Sequence, residues 1–571
     1  EKMATEIAAS ERDPAQEKDE QSPEDAEYVF PNDANVGDYV MHPWRSMESY
    51  MKRMITSFGW RISVQLAVMY MIVKGMMSTV MALVRLSYCK KTLGVDGTRC
   101  QTMQAIAQTP WAVKGVMGVI SDAYPLFGYH KSSYIILSSA VGTGAFFMLA
   151  STTELSVTFA GVLFLAANFQ IALADLLCEG RYAALMQAKP ETGSTMVSYV
   201  WGCFQIGSLI ASMFVGPVAD HYNPQILFWF MMPMAASIII PTGLGYLGDK
   251  KVSPEKEGWD WELVRQYPYI VTFCIIMAFV ALGNALIDVI FFDEHWWQMT
   301  YALSGALLLS VLVLLWLPRR LALCNMYMFL ATILYINIGG ALDFWFTADE
   351  SCVPGGPAFD YTYYNTYTAM VGSFTGWVGI MLFQNYMSGW TFRRLFWVTT
   401  FMQVVASAFD ILIINRYNIM WGIPDKWFYM FGDAIVGPAV MMFALMPAIV
   451  LISKLVPKGL EATTYALLAG FQNFGSVVSS QVGIWATGYA GIKTDEPCNF
   501  DNLSWLVAIC HCLLPLLAIP LTFVLIPDLL MSDKLIDDEH LDEEPTLATV
   551  GCLAGDSDSK PKPDEEKAKP E

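Results

Sequence analysis

The reading of this chain turns on residues 109–134, Thr109-Pro-Trp-Ala-Val-Lys-Gly-Val-Met-Gly-Val-Ile-Ser-Asp-Ala-Tyr-Pro-Leu-Phe-Gly-Tyr-His-Lys-Ser-Ser-Tyr134. The stretch begins in an apolar helix and crosses a short turn carrying Gly118, Asp122, Gly128 and Lys131. It then enters a second apolar helix. The glycines allow two helices to approach closely, and Asp122 can accept from a neighbouring helix end and pair with a nearby cation. Such a contact can form in one conformation and break in another.

Working outward, long uncharged runs recur from Trp60 to Pro527, 55% of residues are apolar and only 15% are charged. With a positive mean hydropathy, this is an all-α polytopic membrane protein rather than a string of soluble domains. The net charge of −19 is concentrated at the ends: residues 1–40 carry −9 and residues 533–571 carry −8, leaving −2 between them. Acidic tails poor in large apolar residues read as disordered, and nothing here suits nucleic acid.

Apolar segments follow at about 60–84, 102–122, 132–150, 157–180, 193–217 and 226–247, then a polar break. Two more lie at about 268–291 and 298–317. A final six lie at about 322–345, 365–387, 395–415, 428–455, 460–488 and 504–528. The count is about 14, arranged six, two, six.

Internal repetition supports that arrangement. Gly115, Gly118 and Gly128 recur with identical spacing as Gly376, Gly379 and Gly389. Phe204-Gln205 followed by Gly207-Ser208 and Ser212 recurs as Phe471-Gln472 followed by Gly475-Ser476 and Ser480. Two unrelated patterns at nearly one offset indicate a parallel duplication with a helix pair inserted between the copies. The expected division is an acidic tail and amphipathic lead-in over 1–58, six helices over 59–247 and a linker with the inserted pair over 248–321. Six helices over 322–528 and an acidic tail over 529–571 complete it.

With the N-terminus placed inside the cell, seventeen loop cations fall on the inner side and seven on the outer. That bias predicts both termini cytoplasmic. Cys89, Cys100, Cys352 and Cys498 then lie outside, where disulfides can form. Cys510-His511-Cys512 lies within an apolar helix and reads as packed core, so no metal site and no cofactor are expected.

An ionisable group in hydrocarbon costs about 2.5–3.5 kcal/mol on insertion scales, so each needs a reason. Lys74, near the middle of the first helix, reads as a substrate-site residue or as the partner of a buried carboxylate. Lys114, in the second, can serve the substrate or stretch toward the interface. Asp175, Glu179 and Arg181, at the inner end of the fourth helix, read first as a gate network with the Asp122 turn. Asp343, Asp410 and Asp433 fall in the outer parts of three later helices. Asp433, with Asp410, is the expected proton carrier, and Asp288 in the inserted pair reads as structural. Trp111 packs at an interface by default, or stacks on a flat ligand.

Pro110-Trp111-x2-Lys114-x3-Gly118-x2-Ser121-Asp122-x2-Pro125-x2-Gly128-Tyr129-x4-Tyr134 resembles the folate–biopterin transporter family of the major facilitator superfamily, in its kinetoplastid-type pteridine/folate form. The likeness extends to Asp175-x3-Glu179-Gly180-Arg181 and Asp343-Phe-Trp-Phe346. It implies a major facilitator fold and import of folate, biopterin-type pteridines or S-adenosylmethionine, with proton coupling and a plasma-membrane location. A monomer in the bilayer is the expected working unit. A substrate receptor that no longer transports is the competing class. Motifs of membrane-embedded enzymes, such as His-Glu-x2-His, a phosphate loop or a nucleophile elbow, are not found.

Overall fold

In hydrocarbon every backbone N–H and C=O must be paired within its own segment, so long apolar runs become helices. The computed structural model of the chain describes residues 43–189, 193–253, 258–266, 268–387, 389–455 and 461–531. The acidic tails lie outside the described residues.

The first six helices are α1 (Trp60–Leu93), α2 (Gly97–Ala112 and Lys114–Ala123), α3 (Ser132–Ser151), α4 (Val157–Met186), α5 (Thr195–His221) and α6 (Ile226–Gly243). The inserted pair is α7 (Pro268–Ile290) and α8 (His295–Trp316). The remainder are α9 (Arg319–Phe346), α10 (Thr362–Tyr367 continuing as Thr368–Leu382), α11 (Phe392–Ile414), α12 (Asp425–Ala448), α13 (Glu461–Tyr489) and α14 (Leu503–Leu525). Among the described residues eleven of these are long and apolar enough to cross a membrane, α2, α10 and α13 being the other three, and no strand is present.

The packing repeats as the sequence does. α1 lies on α5 as α9 lies on α13, α2 on α4 as α10 on α12, and α3 on α6 as α11 on α14. The two bundles meet through α2 against α13 and α5 against α10, which are equivalent seams under the same duplication. The inserted pair lies along the first seam, α7 against α2 and α8 against α13.

Several helices depart from the expected ends. α1 runs to Leu93 rather than stopping near 84, because Leu86, Tyr88 and Cys89 are buried and two stretches of wider, π-type turns prolong it. α2 starts at Gly97, where the Asp96 side chain accepts from the Arg99 N–H. α9 is not continuous: it breaks over residues 335–338 before Gly339.

That break is supported by side chains from distant helices. Ser479 accepts from the Asn337 N–H and donates to the Tyr335 carbonyl, while His511 Nε2 meets the Ile336 carbonyl at 3.0 Å. Gln101 donates to the Asn337 carbonyl and accepts from the Gly340 N–H. Gly340 also allows the crossing with α2, since a Cβ there would run into the Gly97 carbonyl.

Disulfides join Cys89 to Cys100 and Cys352 to Cys498 at one end of the bundle, here the disulfide end. At the opposite end, the tail end, the lead-in helix Pro43–Phe58 is tied by the Tyr50 hydroxyl to the Thr195 carbonyl.

Candidate functional site

The first bundle gathers its buried charges around Asp175 of α4. Lys74 of α1 and Lys114 of α2 donate to its two oxygens at 2.8 and 2.7 Å, and the carboxylate is only 1% exposed. Glu179, one turn further along α4, lies 3.8 Å from Lys114. The ammonium of Lys114 sits 4.7 Å from the Trp111 ring centre, and that of Lys74 sits near the rings of Tyr70, Trp111 and Trp201. Trp111 is fixed by its indole N–H to Asn168, and its carbonyl accepts from Asn473 of α13, so it bridges the bundles. Low dielectric strengthens these interactions.

Lys114 therefore turns inward to a carboxylate instead of reaching for the interface. Asp175 is not joined to the Asp122 turn either. The turn finds its partners in the segment after α6. The backbone N–H groups of Lys131 and Ser132 donate to Asp249, and the Val252 N–H to the Gly128 carbonyl. Arg181 donates to the Leu247 and Gly248 carbonyls. Asp122 is within electrostatic reach of Lys131 and His130. Gly128 adopts φ 80°, which explains glycine there. Gly118 has only ordinary contact with Leu176, whereas Gly115 lies tight against Cys274 of α7. The close approach expected of Gly118 thus belongs to Gly115, because the inserted helix packs on that face.

At the disulfide end the bundles are locked by polar contacts. Arg85 of α1 pairs with Asp343 of α9 at 2.8 Å, and Asp343 also accepts from Tyr364. Lys90 donates to the Thr347 carbonyl, and Asp220 accepts from the backbone of Tyr361 and Thr362. Arg85 is one of the seven cations that the loop count places on the outer side. The continued burial of Leu86 to Cys89 is the signal that it lies within the membrane helix.

The second bundle encloses a cavity of about 580 Å³, within the range of small-molecule sites. Asp343, Asp410, Asp433, Tyr335, Tyr364 and His511 are on its wall. A neighbouring cavity of about 330 Å³ shares Tyr429, Asp433 and Met441 with it. A third, of about 250 Å³, is lined by Arg85, Gln104, Gln108 and Trp111 of the first bundle. The Arg85–Asp343 pair stands where the first-bundle and second-bundle cavities adjoin. Asp410 of α11 and Asp433 of α12 lie on the wall of the second-bundle cavity. Asp410, Asp433 and Asp343 are thus brought to one cavity of the second bundle, while the Lys74, Lys114 and Trp111 group belongs to the first. Asp288 stands apart, buried between α7 and α13, where it accepts from Asn284 and Gln481. Among the described residues no His, Cys, Asp and Glu cluster could hold a metal ion.

Two duplicated six-helix bundles, adjoining polar cavities and a lock at one end define a multi-pass membrane transporter of the major facilitator kind. Solved structures share the fold. A POT-family transporter bound to 5-aminolevulinic acid aligns with a TM-score of 0.59 at 13% identity, covering 81% of this chain and 94% of that one. A point mutant of the nucleoside transporter NupG aligns at 0.54 and 13% identity, covering 81% and 100%. The chain belongs to the BT1 family, whose model matches residues 74–545. It is 25% identical to the folate-biopterin transporter of Synechocystis sp. over 439 residues, 75% of each chain. It is 23% identical to the probable folate-biopterin transporter 2 of Arabidopsis thaliana over 497 residues, 87% of this chain and 88% of that one. Folate transporter 1 of Plasmodium falciparum matches at 28% over a shorter stretch of 157 residues, 28% and 30% of the two chains.

Proposed function

We propose that this protein imports folate or a biopterin-type pteridine by alternating access, with a proton as the coupling ion. The observation that carries the reading is the adjoining cavities of the two bundles, with cations beside the first and the carboxyls of Asp410 and Asp433 on the wall of the second. Relatives named as folate and folate-biopterin transporters supply the substrate class. In this reading Lys74, Lys114, Trp111 and Asp343 face the substrate, and Asp433 with Asp410 carries the proton. The turn from Gly118 to Lys131, together with Asp175, Glu179 and Arg181, works the gate at the tail end. The Arg85–Asp343 lock marks a state closed at the disulfide end. The excess of loop cations at the tail end, which stands with Arg85 taken out of the outer set, supports cytoplasmic termini, so that the closed end faces outward. The protein acts as a monomer in the plasma membrane.

The test is uptake of labelled folate by cells expressing the chain, at acidic and neutral external pH, with unlabelled biopterin and S-adenosylmethionine as competitors. Uptake that rises at acidic pH, collapses with a protonophore and is blocked by biopterin is the expected result. Absence of folate uptake and of pteridine binding would overturn the substrate class, and labelled S-adenosylmethionine would be tried next.

A further inference from the structure

The second-bundle cavity contains acceptors without donors. Asp410 is 9% exposed, yet its Oδ1 has no hydrogen-bond partner. His511, on a different helix and 6% exposed, leaves Nδ1 equally unpartnered. Its other nitrogen, Nε2, faces the Ile336 carbonyl, a pure acceptor, so Nε2 carries the hydrogen. In the neutral ring, Nδ1 is then left as a second acceptor. Both residues line the same cavity. A buried acceptor without a donor is costly, and two on one wall point to a ligand that brings N–H groups.

The wall also favours a flat ligand. His511 stacks on Tyr335 with ring centres 4.4 Å apart and planes 7° apart, and Phe346, Tyr364 and Tyr429 extend the aromatic surface. A free carboxylate would meet three acidic side chains here, of which, among the described residues, Asp343 alone is paired with a cation. The other site cations, Lys74 and Lys114, stand on the first bundle.

We propose that the second-bundle cavity reads the 2-amino-4-oxo edge of a pteridine, its adjacent N–H donors going to Asp410 and His511. The carboxylate tail of a folate then points toward the first bundle. This orientation rests on the pteridine reading above and adds to it which half of the protein holds which end of the substrate.

The experiment compares two ligands on the purified full-length chain. Pterin carries the 2-amino group, and the 2,4-dioxo analogue lumazine replaces that donor with an acceptor. Titration calorimetry of the wild type should show pterin binding about tenfold or more tighter than lumazine, the scale of a hydrogen bond to a charged group. Asp410→Asn and His511→Phe, the second of which keeps the flat stack on Tyr335, should each weaken pterin by a similar factor and leave lumazine little changed. Size-exclusion elution checks that the variants are folded, and the wild-type comparison decides the matter even where they are not. Equal affinity for the two ligands would overturn the orientation while leaving a pteridine carrier intact. Binding of neither would overturn the substrate class and the orientation with it.

Discussion

Replacing Asp175 by Asn should be among the most destabilising single changes available in the first bundle. Its carboxylate is 1% exposed and lies within 2.8 Å of both Lys74 and Lys114. The amide would keep the shape and remove the charge, stranding two ammonium groups. Breaking a buried ion pair in this way costs about 3–5 kcal/mol. Glu179, 3.8 Å from Lys114, can take over part of the pairing, and Lys74 is 20% exposed, so the lower end of that range applies. About 3 kcal/mol is roughly a hundredfold in the folding equilibrium. The assay is thermal and denaturant unfolding of detergent-solubilised protein, followed by tryptophan fluorescence. Lys114→Met combined with Asp175→Asn removes one stranded cation and should recover a good part of the loss. A single variant as stable as the wild type, or a double variant no better than the single, would refute the electrostatic account.

Further changes separate the roles of the other carboxylates. Asp343→Asn weakens the Arg85 lock. Both partners are 24% exposed, so about 1 kcal/mol is at stake, enough to shift the open and closed populations about fivefold. Spin labels at Tyr222→Cys and Trp421→Cys, exposed on the two bundles, should then report a larger share of long distances. Asp288→Asn should stay within about 1 kcal/mol of the wild type, because its amide oxygen can still accept from Asn284 and Gln481. The same unfolding assay reads this, and a loss as large as that of Asp175→Asn would point to an unseen cation at Asp288. Gly340→Ala places a methyl against the Gly97 carbonyl and should loosen the disulfide-end closure, increasing the same long-distance share.

The apolar helices and the duplication could be read from the sequence, because period and charge in hydrocarbon are local signals. Asp410 and Asp433, on different helices, were singled out together, and the fold brings them to one cavity. Pairings were not legible. Lys74 and Lys114 meet Asp175 across 101 and 61 residues, and spacing says nothing about which helices become neighbours. The partnership expected between Asp175 and the Asp122 turn failed for that reason, as Asp249 supplies the turn's carboxylate instead. The interruption of α9 left a trace in Asn337, Gly339 and Gly340, all weak helix formers, although an apolar window passes smoothly over them.

The interruption of α9 bears on how the chain is made. The bare main-chain groups of residues 335–340 are covered by Gln101, which precedes them, and by Ser479 and His511, which are synthesised much later. Until α13 and α14 leave the ribosome, those groups face lipid or water with partners from one side only. Maturation of the second bundle must therefore wait until α13 and α14 are made. Chains truncated before Ser479 should be recognised by membrane quality control even though their first six helices are complete.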